Sequence, residues 1–259
     1  MVGDEDLEYT DDFVAGLEVM WGKGFLSPGG REEVALVVEG IDLEGKEVLD
    51  IGCGIGGPTF ALLEDHGAAH VVGVDVEQPV LDKAAAGARE MDLADRARFQ
   101  LIEPGPLPFE DESFDVVFSK DAIIHVPDKP ALFRDILRVL RPGGWVVLSD
   151  WCRGDQPFSQ EMTDWIAALG LTFNMALLDD TAALLTEAGF TNVAARDRNA
   201  WYAERSRQEV AQMAGPDRGR LMTILGEEGA HKWIERARLK SIAAGHGDLR
   251  PGHLRGRKP

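Results

Sequence analysis

From residue 46 onward, short apolar runs alternate with stretches in which apolar side chains recur every three or four positions. Lys46–Ile51, Ala69–Val76, Arg96–Ile102, Phe114–Ser119, Trp145–Asp150 and Thr191–Arg196 are short, apolar and rich in β-branched residues, which predicts strands. Helical spacing falls on Pro58–His66, Pro79–Met91, Pro130–Leu140 and Asp180–Ala188. Arg141-Pro-Gly-Gly144 closes the third of these helices and Gly189 the fourth. Strands alternating with helices across short loops predict an α/β fold, a doubly wound and mostly parallel sheet with helices on both faces. Ligands of such sheets lie beyond the carboxyl ends of the strands. Residues 1–45 and 198–248 look helical and lie outside the alternation, so they are expected to cap that edge as lids.

Composition narrows the partners. The 45 acidic and 27 basic residues leave a net charge of −18, which argues against nucleic acid and anionic membranes. The charge is uneven: residues 200–259 hold twelve Lys/Arg against seven Asp/Glu, a net of +5, so residues 1–199 carry −23. This basic tail is expected to be a helical lid with solvated arginines. No apolar run reaches the roughly 18 residues that span a bilayer, and the acidic start Met1–Asp6 lacks the features of a signal or transit peptide. Cys53 and Cys152, the only cysteines, have no metal-ligand spacing. Neither a disulfide framework nor a metal site is expected, and a reducing cytoplasm fits.

The candidate chemistry begins at Val48-Leu-Asp50-Ile-Gly52-Cys-Gly54-Ile-Gly56-Gly57, between the first strand and the first helix. Gly52, Gly54 and Gly57 satisfy the spacing of a dinucleotide loop, in which glycines allow positive φ and close ligand approach. Asp75 ends the second strand, where a carboxylate can accept ribose hydroxyls of either NAD or S-adenosylmethionine. Asp50 separates the two. A carboxylate there would repel a pyrophosphate and attract the ammonium and sulfonium of S-adenosylmethionine. Capping or ordering of the loop is the alternative role for Asp50.

Together, the glycine loop, Gly73-Val-Asp75, Phe114-Asp-Val-Val-Phe-Ser119 and Leu140-Arg-Pro-Gly-Gly144 resemble a class I S-adenosylmethionine-dependent methyltransferase. Tyr9-Thr-Asp-Asp, Trp21-Gly-Lys-Gly-Phe25-Leu-Ser27-Pro-Gly-Gly30 and Lys120-Asp-Ala-Ile-Ile-His125-Val-Pro-Asp-Lys-Pro130 sharpen the likeness to the phosphoethanolamine N-methyltransferases. Glycine, sarcosine and dimethylglycine N-methyltransferases are looser neighbours. The resemblance implies a Rossmann-like, seven-stranded sheet over residues 46–259, an N-terminal cap over 1–45, a lid at about 198–248 and a closing strand at about 250–257. It implies S-adenosyl-L-methionine as cofactor, held by Leu26, Ser27, Asp50, Gly52, Gly54, Gly56, Asp75, Val76, Glu103, Pro104 and Lys120. Glu103 would accept from the adenine amino group. It also implies His125 as general base, with Tyr9 closing the site over it and Asp121 near the substrate nucleophile. Trp151, Trp165 and Lys240 would complete the site of a small-molecule methyl acceptor, in a monomer or homodimer.

The resemblance breaks where that family grips a phosphate. Its Tyr and Arg positions fall on Leu17, Trp151, Trp165, Leu169 and Leu171, and only Lys240 keeps a charge. A dianion needs donors and positive charge to offset its desolvation, and these residues supply little of either. The expected acceptor is therefore a small amine that need not be phosphorylated, and the Trp residues also suit a cage for a cation. An oxygen or sulfur acceptor on an apolar molecule, an NAD-dependent oxidoreductase and a non-catalytic binding module are the competing expectations.

Overall fold

Alternation of side chains along each strand decides which helices each strand can carry. The computed structural model describes residues 10–170 and 173–259. Its strands are β1 (Glu47–Ile51), β2 (His70–Asp75), β3 (Ala97–Leu101), β4 (Phe114–Lys120), β5 (Leu140–Arg153), β6 (Thr191–Asp197) and β7 (Leu249–Arg257). They form a seven-stranded sheet in the order β3-β2-β1-β4-β5-β7-β6, in which β7 alone runs against its neighbours. Val48, Val116 and Val147 face one apolar cluster, with Val34, Phe60 and Leu62; Leu49, Val117 and Leu148 face the other, with Phe133, Ile136 and Leu185. One face is thus covered from α2 (Gly30–Val37) and α3 (Gly57–Glu64), the other from α5 (Lys129–Val139) and α7 (Leu178–Ala188). α4 (Gln78–Glu90) packs against β2 and β3.

The strand order reverses between β1 and β4, whose carboxyl ends lie side by side, with Ile51 opposite Ser119. That crevice is the ligand position of an open α/β sheet. The remaining helices are α1 (Asp11–Trp21), α6 (Gln160–Leu169), α8 (Asn199–Ala214) and α9 (Arg218–His246). α1, α8 and α9 share a separate apolar cluster of Leu17, Val19, Met213, Leu221 and Trp233. α9 bends at Gly226, whose φ of 72° only glycine adopts without strain. Among the described residues, no helix is long and apolar enough to cross a membrane.

The strand runs and helical stretches of the sequence reappear within a few residues, with one difference. β5 begins at Leu140, so Arg141-Pro-Gly-Gly144 is a bulge inside its pairing with β4 rather than a loop before it.

A buried ionic cluster ties the helical additions to the sheet. Glu33 of α2 accepts from His253 Nε2 of β7 at 2.7 Å and from both Nε and NH2 of Arg198, which precedes α8, at 3.0 and 2.7 Å. Burial opposes ionisation of Glu33, but the hydrogen bonds from His253 and Arg198 outweigh it and hold the carboxyl at about 2. Because this pKa is depressed in the folded state, the stabilisation is present above the ordinary carboxylate range and is lost as pH falls from about 4.5 towards 2. Glu33→Ala strands a buried guanidinium, so a loss of about 3–5 kcal/mol is expected in urea unfolding at neutral pH. The difference from wild type should shrink towards pH 3.

Candidate active site

The turn after β1 is tight because it must be. Gly52 and Gly54 have φ of 71° and 52°. A Cβ on Gly52 would overlap Ala122 beyond β4, and one on Gly54 would come within 2.8 Å of Leu26 Cδ1. The turn therefore packs on both the 120s segment and the segment between α1 and α2. Five of its amides are committed: Gly52 and Cys53 N–H donate to Val74 O, Gly54 N–H to Asp75 Oδ2, Gly56 N–H to Cys53 O and Gly57 N–H to Gly24 O. A pyrophosphate would meet paired amides and two carboxylates, which removes the basis of dinucleotide binding at this loop.

Asp50 is fully buried beside the turn. Its Oδ2 accepts from Thr59 Oγ1 at 2.6 Å, whereas its Oδ1 has no hydrogen-bond partner among the described residues. Burial raises its pKa to about 7; the Thr59 hydroxyl opposes that rise and the charge of Asp75 adds to it. Asp75 is also raised by burial, against three backbone donors from Gly54, Glu77 and Val76. A carboxylate offers about four acceptor positions, so one remains at Asp75 for a further donor. Next to it, Val76 and Leu101 at the ends of β2 and β3 are 55% and 48% exposed, unusual for apolar side chains of this size. Glu103 and Pro104 are exposed just beyond Leu101.

The segment after β4 is held by buried charges. Lys120 Nζ donates to Ser27 Oγ at 2.5 Å, to Pro28 O at 2.8 Å and to Asp121 Oδ2 at 2.9 Å. Asp121, at a positive φ of 59°, also accepts from Ser149 Oγ at 2.9 Å. Lys120, expected from the resemblance among the cofactor residues, uses its side chain as a strut under Ser27 and Asp121. A 3-10 turn, Ile123–His125, follows. Asp150 Oδ1 accepts from Ile124 N–H at 2.9 Å, and Lys129 Nζ donates to Ile123 O at 2.6 Å and Val126 O at 3.2 Å. Burial raises the Asp150 pKa to about 7, a shift that Lys129 reduces and Asp121 increases. These groups fix the turn from beneath and present half-buried His125 above, its ring centroid 5.6 Å from that of Phe173.

His125 and Asp121 open into a cavity of about 110 Å³. Leu26 and Ser27 line it, and so do Trp151, Trp165 and Lys240, while Leu17 and Leu169 add apolar surface. Trp165 stacks on Phe173 at 5.5 Å, and Trp151 stands edge-on to Tyr202 at 4.7 Å. Lys240 is buried at one end with its charge already engaged. Its Nζ lies 4.8 Å from the Trp21 ring centre, 5.7 Å from that of Tyr202 and 3.9 Å from Glu209 Oε2. Burial lowers its pKa, and Glu209 resists that shift. The structure therefore brings Leu26, Ser27, Asp121, His125, Trp151, Trp165 and Lys240 to one cavity. The glycine turn adjoins it through Leu26, while Asp50, Asp75, Val76, Glu103 and Pro104 lie outside its lining. Tyr9 and Leu171 fall outside the described residues. Glu209, Phe173 and Asp150 were missed by sequence reading, and none of the three carried a local signal.

A doubly wound sheet with a glycine turn, two buried carboxylates and a lined cavity at its switch point is the architecture of a small-molecule-transforming α/β enzyme. Residues 42–224 match the family model described as methyltransferase domain, and the chain belongs to that family. It is 35% identical over 80% of its length to phosphoethanolamine N-methyltransferase 1 of Arabidopsis thaliana, but covers only 41% of that protein. The chain thus spans about two fifths of the plant relatives it matches. It is also 31% identical to methyltransferase GfsG of Streptomyces halstedii, over 79% of this chain and 72% of that one. In fold it is similar to phosphoethanolamine N-methyltransferase 2 of Haemonchus contortus, solved with phosphomonomethylethanolamine and S-adenosylhomocysteine. The TM-score is 0.90 at 23% identity, over 98% of this chain and 59% of that one.

Proposed function

We propose that this chain transfers a methyl group from S-adenosylmethionine to a nitrogen of a small-molecule amine. The observation that carries the reading is the meeting of His125 and Asp121 in a cavity that touches the glycine turn through Leu26. The residues present suit a cationic cofactor: Asp50 and Asp75 put two carboxylates beside the turn, and Asp50 Oδ1 is buried without a partner. Asp75 would take ribose hydroxyl donation, Val76 and Leu101 would flank the adenine, and Glu103 would accept from its amino group. Leu26 and Ser27 would bound the methionyl end, with Lys120 holding Ser27 in place. The cofactor supplies an electrophilic methyl on a sulfonium.

An ammonium has no lone pair, so a proton must leave before nitrogen can attack. The protonated amine would dock beside Asp121, and His125 would take the proton. The N–CH3 bond then forms as the S–CH3 bond breaks, leaving a neutral thioether. The aromatic walls exclude water and keep nucleophile and methyl aligned. Tyr9 would close the site over His125. Nitrogen as acceptor is supported by the relatives named phosphoethanolamine N-methyltransferases. The apolar walls at Trp151, Trp165 and Leu169 favour a second reading with the same cofactor, an oxygen or sulfur acceptor on an apolar molecule.

Calorimetry with S-adenosylhomocysteine and with NADH tests the cofactor assignment. Binding of the first alone is expected, and binding of NADH alone would overturn it. Lys120→Met leaves Asp121 buried without its cation and Ser27 without its strut. S-adenosylhomocysteine should bind this variant about tenfold more weakly, the equivalent of about 1.4 kcal/mol. Unchanged binding would show that the strut has no part in the cofactor site.

A further inference from the structure

The charges around the cavity are mostly cancelled where they stand. Asp121 is paired with Lys120 at 2.9 Å. Lys240 faces Glu209 and lies on two aromatic rings, while Glu209 also accepts from Trp21 Nε1 and Arg205 Nε. Arg236 is different. It lines the cavity from the same face of α9 as Trp233, Ala237 and Lys240, and it is half-buried. Among the described residues it has no hydrogen-bond or ion-pair partner. A guanidinium is a five-donor fork that matches a planar anion with two parallel hydrogen bonds. One unpaired guanidinium offsets one negative charge; it does not offset two.

The aromatic lining points the same way. Trp165 and Phe173 lie nearly parallel, 10° apart, and so occupy one another's faces, while Lys240 covers the face of Trp21. One face of Trp165, a ring that the sequence suggested for a cation cage, is thus taken by Phe173, and what the lining offers an acceptor is largely apolar wall.

Building on the assignment of methyl transfer to an amine, we infer that Arg236 is the anion anchor of the acceptor site. The acceptor class is an amine with an aromatic or branched apolar body and a single negative charge, such as a carboxylate. The apolar body lies along Trp151, Trp165 and Phe173, the anion meets Arg236, and the nitrogen reaches His125 and Asp121. A compact phosphate ester fits this arrangement poorly, because its second charge finds no free cation and its small body leaves the walls uncovered.

L-phenylalanine, phenethylamine and phosphoethanolamine separate the terms. Binding of each to the protein loaded with S-adenosylhomocysteine is measured by calorimetry, and methyl transfer to each by mass spectrometry. The wild type should favour L-phenylalanine over phenethylamine and over phosphoethanolamine by about 10- to 100-fold, the range of a charge-assisted hydrogen-bonded pair. Arg236→Leu should bring the ratio between the first two close to one, and Arg236→Lys should recover part of it. Binding of S-adenosylhomocysteine to both variants shows that the fold is intact. Absence of any wild-type preference for L-phenylalanine over phenethylamine, or a preference that survives Arg236→Leu, overturns the anchor. Failure of S-adenosylhomocysteine to bind the wild type would instead overturn the methyltransferase assignment, so the two failures are distinct.

Discussion

His125→Ala should lower kcat for methyl transfer by about 10²- to 10⁴-fold, the usual contribution of a positioned general base, while S-adenosylhomocysteine binds as before. The expectation follows from the placement of the ring. His125 stands at the end of a 3-10 turn that Asp150 and Lys129 pin from below, and it faces the cavity that also holds Asp121. The turn's anchors run from the Asp150 and Lys129 side chains to its backbone, so they survive removal of the imidazole, and the loss should appear in kcat rather than as unfolding. Raising the pH supplies more neutral amine from solution, so activity of the variant should climb towards wild type in alkaline buffer. A variant with unchanged turnover at neutral pH would remove His125 from the chemistry.

Asp50→Asn is expected to separate stability from function. In the folded protein this carboxyl is raised to about 7 by burial, with Thr59 opposing and Asp75 adding to the shift. The raised value means that the folded state binds the proton more tightly than the unfolded chain does. Its contribution is therefore fully present below about 4 and is lost as pH rises through about 7, a swing of about 4 kcal/mol for a shift of about three units. Asn cannot ionise, so stability of the variant should fall less than that of wild type between pH 5 and pH 8 when melting is followed without ligand. S-adenosylmethionine should bind the variant about 10- to 100-fold more weakly at pH 8, since a buried negative charge opposite a cation has been removed. Equal pH slopes for the two proteins would mean that Asp50 is not buried as charge. Equal affinities would mean that it only orders the turn through Thr59.

The parts of this account that were legible in sequence share a physical cause. β1, the glycine turn and Asp75 lie within thirty residues of one another, and each is specified by local rules: β-branched runs, positive φ at Gly52 and Gly54, a carboxylate at a strand end. Strands alternating with helices across short loops were enough to assign two covered faces, which Val48 and Leu49, or Val116 and Val117, then divide between them. The cavity follows no such rule. Its walls come from α1, α6, α9 and the ends of β4 and β5, and they meet only after the chain has closed. Glu33 and His253, which help to hold that closure, are 220 positions apart. Lys240 illustrates the limit. Its charge was visible, but the Glu209 carboxylate and the Trp21 face that occupy it were not, and they leave Arg236 as the unpaired cation of the lining among the described residues.

The most direct test of the central claim is incubation of the protein with S-adenosylmethionine and a mixed panel of amines, phosphobases, phenols and thiols, followed by mass spectrometry. S-adenosylhomocysteine is expected to form together with an equal amount of an amine that has gained one methyl on nitrogen. S-adenosylmethionine left intact with every acceptor, despite tight binding of S-adenosylhomocysteine, would contradict it and leave a protein that binds the cofactor without using it.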